Sequence, residues 1–194
     1  MLSSITPFGE RGRHNRFGVT ATAFVIGAIS GGTALGVLAG LLGSWLPARS
    51  AGVDALLVVV IALTGAVLDA TRLPTIRRQV NEDWLGRYRG WVYGFGFGVQ
   101  LGFGVLTIVT SAATYAAIAF ALLSGSAAAG ALIGFTFGFL RGLSLLLASH
   151  IQTPDALRRF HRRLEARAAA GARVAVVAQG MIGAIGLAAV LGLR

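Results

Sequence analysis

The chain has no cysteine, no lysine, four prolines and only seven acidic residues among 194. Without cysteine there can be no internal disulfide, no thiol redox centre and no cysteine-bound metal. The three histidines, His14, His150 and His161, do not stand at metal-site spacing, and the acids are scattered, so neither a metal nor a cofactor is expected. The patterns HExxH, G-x-S-x-G and the P-loop are missing, which argues against an enzyme. One stretch, "GFGFGVQLGFG", scans as a dinucleotide fingerprint, but it lies in an apolar run with no βαβ context. Charge itself is scarce. Only 12% of residues are charged, about half the share usual in soluble domains.

What fills the chain instead is hydrocarbon. Hydrophobic residues make up 55%, and the mean hydropathy is +0.75. No charge interrupts the stretch between Arg16 and Arg49, nor the one between Arg89 and Arg141. Both exceed the roughly 20 apolar residues that cross a bilayer. The expected fold is all-α, a polytopic transmembrane helix bundle forming a single domain over 1–194. Five spans are read, at about 17–46, 51–70, 91–123, 127–148 and 174–193. The first apolar run is too long for the core of a cleavable signal peptide, so it reads as a retained span.

All 17 basic residues are arginine, and the formal net charge is +10. Their placement explains the excess. Three precede the first span, five lie between the second and third, and six between the fourth and fifth; the alternate side holds only Arg49 and Arg194. Such asymmetry places the N-terminus and the basic loops in the cytoplasm. Nucleic-acid binding is then unnecessary. An arginine-only, Ala- and Gly-rich chain suggests a GC-rich bacterial genome, hence a multi-pass protein of the inner (plasma) membrane.

"TPDALRRFHRRLEAR" reads as an amphipathic helix over about 154–169. Thr153 suits the N-cap, Pro154 the first helical position and Asp155 the first turn. It would lie on the cytoplasmic surface and touch anionic lipid head groups, or serve only as a solvated connector. A faint repeat at an offset of 80 residues relates "FGV" at Phe17–Val19 to Phe97–Val99 and Pro74/Arg78 to Pro154/Arg158.

Inside the spans, glycine recurs every fourth residue: Gly90, Gly94, Gly98 and Gly102, then Gly130, Gly134, Gly138 and Gly142. This spacing stacks small residues on one helix face, a glycine-zipper pattern for helix packing within the chain, in a homo-oligomer or against a partner subunit. A second strip, Tyr93, Gly96, Gln100, Gly104, Thr107, Ser111 and Thr114, shares one face of the third span and reads as a polar path or a seam of hydrogen bonds.

Arg141 stands alone in "GFTFGFLRGLSLLLASH". An arginine at mid-span costs about 2.5–3.5 kcal/mol on insertion scales. Two readings account for it. One is a substrate site formed by Arg141, Gln100 and Gln179 for a small anionic solute. The other is a structural clasp, an ion pair of Arg141 with Asp69.

From Gly134 onward, "FGFLRGLSLLL", "LRRFHRRLEARAAAGAR" and "VAVVAQGMIGAIGLAAVLG" resemble the membrane domain of cytochrome c biogenesis proteins of the CcdA/DsbD type, a LysE-superfamily-like scaffold. Such proteins pass reducing equivalents through paired membrane cysteines, which this chain lacks. The resemblance therefore implies a scaffold without thiol transfer. Two functions are expected from these features: a small transporter-like membrane protein, or a non-catalytic accessory subunit of a larger membrane complex.

Overall fold

The computed structural model describes residues 5–71, 84–104, 109 and 111–192. Its elements are all helical. In chain order they are α1 (Pro7–Gly12), α2 (Phe17–Gly43), α3 (Ala51–Ala70), α4 (Trp84–Arg87), α5 (Gly90–Gly102), α6 (Ala113–Leu123), α7 (Ala127–Leu143) and α8 (Pro154–Val190); a 3₁₀ segment, Ser144–Ala148, extends α7.

Helix starts follow local chemistry. The hydroxyls of Thr6, Ser50, Ser126 and Thr153 each accept a backbone N–H three residues on, at the heads of α1, α3, α7 and α8. Proline follows the cap in α1 and α8, where its fixed φ suits the first turn. Four helices are long and apolar enough to cross a membrane: Phe17–Gly43, Ala51–Ala70, Ala127–Ala148 and Pro154–Val190. The protein is membrane-embedded. Its outward side chains, Leu38, Leu56, Val67, Leu132, Val177 and Ile185 among them, are exposed apolar groups that suit lipid.

Two expectations about the spans need correction. The stretch 91–123 is not one helix. It is divided into α5 and α6, about 20 Å and 16 Å long, and neither alone reaches across about 30 Å of hydrocarbon. The division follows Gly104, whose φ of 68° is the left-handed conformation that ends a helix and favours glycine. The second correction concerns the basic stretch 154–169 and the last span. They form one uninterrupted helix, α8, because nothing between Thr153 and Val190 caps or breaks it.

Helix α2 is the axis of the bundle. It packs along α5 on one side and α7 on the other. At these crossings glycine meets backbone. A Cβ added at Gly98 would overlap the Phe24 carbonyl oxygen, and one at Gly102 or Gly138 would overlap that of Ala28. Gly130 and Gly134 stand in the same relation to the carbonyls of Gly36 and Gly32, and the overlap is mutual. Only a Cα hydrogen fits such an approach, so three backbones lie against one another with no side chain between them. Gly90 and Gly142 at the ends of the rows meet mainly side chains instead, Thr20 and Ala28.

Helices α3 and α8 form a separate antiparallel pair. Gly186 faces Val59 and Ala55, Gly183 faces Leu63 and Ala62, and Gln179 faces Gly65. The pair leans on the α2/α5/α7 core through α6. Polar groups of α3, α7 and α8 meet along that seam.

Candidate functional site

The depth of the seam follows from one ion pair. Arg49 binds the Asp54 carboxylate at 2.6 Å and donates to the Leu123 carbonyl at 3.2 Å, which brings the start of α3 level with the end of α6. Counting eleven residues inward from each reaches Gly65 and Ala112, and a Cβ at Gly65 would touch the Ala112 methyl at 3.7 Å. Eleven residues of helix rise about 16 Å. Helix α6 therefore begins about 16 Å along α3 from the Arg49–Asp54 pair, close to the last turn of α3 that carries Asp69.

A helix start leaves unpaired N–H groups, which in lipid must be satisfied by protein. Asp69 does this from the neighbouring helix. Its carboxylate accepts the Ala112 N–H at 2.7 Å, the Ser111 hydroxyl at 2.8 Å and the Gln179 amide Nε2 at 2.7 Å. The anion also sits at the positive end of the α6 dipole. Gln179 is 4% exposed; its Nε2 also reaches the Ala175 carbonyl, while its Oε1 presses on Gly65 without a hydrogen-bond partner.

Arg141 comes to the same turn of α6 from the other flank. Its Nη1 donates to the Thr114 hydroxyl at 3.1 Å, and its guanidinium lies 5.2 Å from the centre of the Phe137 ring. The expected ion pair between Arg141 and Asp69 is not formed among the described residues. Each is bound to α6 instead, Asp69 at Ser111 and Ala112, Arg141 at Thr114. The three-residue cluster Arg141, Gln100 and Gln179 is not assembled either. Gln179 belongs to Asp69, and no hydrogen bond joins the half-buried Gln100 to either partner. The three lie on α5, α7 and α8, and Gln179 is turned to α3 while Arg141 is turned to α6; the strip of the third span is itself divided by the break after α5. Of the polar strip, Ser111 and Thr114 line the seam, Tyr93 does not, and Thr107 lies outside the described residues.

Tyr93 belongs to a second polar cluster, one that sequence reasoning missed. Glu10, fully buried, lies 2.6 Å through both carboxylate oxygens from the Tyr93 hydroxyl. It accepts the Thr20 hydroxyl and an Arg13 N–H at 2.7 Å each. Asn15 ties the same hydroxyl to the Gly90 N–H, at 3.3 Å and 3.4 Å. Burial works against the charge on Arg13, but hydrogen bonds to Glu10 and Tyr93 and attraction to Glu10 outweigh it and leave its pKa above the usual arginine value. Beneath the cluster Ile5 packs on Phe24, Tyr93, Phe97 and Leu145, and the Phe8 N–H donates to the Ile151 carbonyl. The N-terminal segment thus closes this end of the core. A signal was present: "TPFGE" carries the same Thr-Pro start as "TPDAL" at α8.

These features define an all-helical, membrane-embedded protein with a polar seam at a broken helix. Over 114 residues the chain is 35% identical to the methylamine utilization protein MauF of Paracoccus versutus, a match that covers 58% of this chain and 42% of that protein. The chain thus matches less than half the length of that curated relative. No protein-family model matches, and no solved structure does. This similarity overturns the resemblance to the CcdA/DsbD-type, LysE-superfamily-like domain. The quoted segments that carried it are runs of Gly, Leu and Arg, a vocabulary shared by small helical membrane proteins generally.

Proposed function

We propose that the chain is a transporter-like protein of the bacterial inner membrane that binds or moves a small anionic solute at the start of α6. The observation that supports this reading is the broken third span, where the start of α6 lies between Arg141 and Asp69. Discontinuous helices with their ends at the bilayer midplane are how many transporters build solute sites. Thr114 is the sole hydrogen-bond acceptor of Arg141 among the described residues, so the guanidinium keeps donors for an oxyanion. The α3/α8 pair meets the glycine-packed core through α6 and, at Phe160, through the stretch that follows α7. The arginine-rich connections face the cytoplasm by the charge asymmetry described above.

A second reading has its own support. The tight α2/α5/α7 packing suits a rigid scaffold, as a non-catalytic accessory subunit of a larger membrane complex would need. One experiment separates the two. The purified protein is melted against a panel of small carboxylates, phosphate and sulfate, alongside Arg141→Gln. A solute at 100 times its Kd stabilises by about 2.7 kcal/mol, which Arg141→Gln should abolish while remaining folded. If no anion stabilises the wild type, and a membrane partner co-purifies with both forms, the accessory reading stands instead.

A further inference from the structure

Among the described residues the exposed arginines of α8 have almost no counter-charge. At about 100° per residue, Arg158, Arg162, Arg173, Arg159, Arg163 and Arg167 all fall within one half of the helix circumference. Leu157, Phe160 and Leu164 occupy the other half. All six arginines are exposed, and their one ion pair is the loose contact of Arg158 with Asp155 at 3.8 Å. Arg158/Arg162, Arg159/Arg163 and Arg163/Arg167 are like charges four residues apart, an arrangement that weakens a helix left to itself. Yet α8 runs through them unbroken.

Where this face lies decides what neutralises it. Phe160 is packed against Ala148 and Ile151, at the end of the apolar stretch of α7. Nineteen residues on, Gln179 is bound to Asp69, the penultimate residue of α3. The segment between, 161–174, is exposed throughout and is strung between the ends of two membrane-crossing helices. Charge begins at that level because hydrocarbon ends there. We propose that this arginine face is a binding surface for the phosphates of anionic phospholipids, which hold α8 at the interface. Guanidinium matches phosphate geometry in paired hydrogen bonds, and the anionic surface potential concentrates its effect within a Debye length of the membrane. The inference is independent of any solute at Arg141.

The test uses the full chain in nanodiscs of equal phosphatidylglycerol and phosphatidylcholine, followed by native mass spectrometry of the lipids it retains. Wild type should keep phosphatidylglycerol selectively and release it as salt rises. The triple variant Arg159→Gln/Arg163→Gln/Arg167→Gln should lose about tenfold or more of that preference. The corresponding lysine variant, which keeps charge and helix propensity, should retain most of it. Equal retention by wild type and glutamine variant would overturn the proposal. So would release of the lipid by millimolar inorganic phosphate at constant ionic strength, which would mark a site for a soluble anion, or a wild type with no lipid preference at any salt concentration.

Discussion

The Asp69 carboxylate receives the backbone N–H of Ala112 at 2.7 Å, so a side chain of one helix caps the start of another inside the membrane. Two further donors, Ser111 and Gln179, complete its shell. Removing the carboxylate leaves all three donors without their acceptor. Asp69→Ala should therefore cost about 2–4 kcal/mol, read as a lowered midpoint in thermal or detergent-induced unfolding. Asp69→Asn keeps one acceptor oxygen and should cost about half as much. Equal stability of all three proteins would show that α6 is capped by other means.

Glycine substitutions should divide sharply by position. Gly36→Ala and Gly134→Ala drive a methyl into a facing carbonyl, with backbone on both sides and no rotamer to escape by. A loss of about 3 kcal/mol or more is expected, or failure to accumulate in the membrane. Gly171→Ala, where nothing lies within 4 Å, should leave stability unchanged or raise it by up to about 1 kcal/mol through helix propensity. The comparison needs only melting curves of the three variants.

Gly104 tests the break between α5 and α6. Its positive φ strains any L-residue, and a Cβ there would come within 2.7 Å of the Thr114 methyl. Gly104→Ala should cost at least about 1–2 kcal/mol. It should also displace Thr114, and with it Arg141. In a solute-binding assay this variant is expected to resemble Arg141→Gln.

The N-terminal closure is open to proteolysis. Glu10→Ala strips a buried acceptor from Arg13, Thr20 and Tyr93 and removes the ion pair of the partly exposed Arg13. A loss of about 3 kcal/mol is expected, with faster cleavage at Arg11 and Arg13 by trypsin. A double-mutant cycle with Tyr93→Phe should return a coupling of about 0.5–3 kcal/mol. Additive losses would argue that the two groups do not act together.

What could be read ahead of the structure was what depends on local spacing. Four-residue glycine spacing and the Thr153-Pro154 helix start are periodic or nearest-neighbour signals; glycines of these rows meet the backbone of α2, and Thr153 caps α8. What could not be read depends on contacts across the chain. Asp69 meets partners 42, 43 and 110 residues away, and Glu10 meets Tyr93 at a separation of 83. No pattern within a single helix contains that information. Reading Tyr93 to Thr114 as one strip assumed an unbroken third span, and one glycine at φ 68° removes the assumption. The family resemblance failed for a related reason: words common to many membrane helices do not distinguish one lineage from another.

Asp69 also sets a sequence in time. The ribosome makes this carboxylate first, its donors at the start of α6 about 40 residues later, and Gln179 110 residues after it. An ionised side chain is costly to leave in lipid, so each donor arriving lowers the cost of seating α3 at its final depth. Helix α8 thus completes the placement of a helix made much earlier. A chain stopped before Gln179 would carry its glycine core intact and still hold Asp69 without one of its partners.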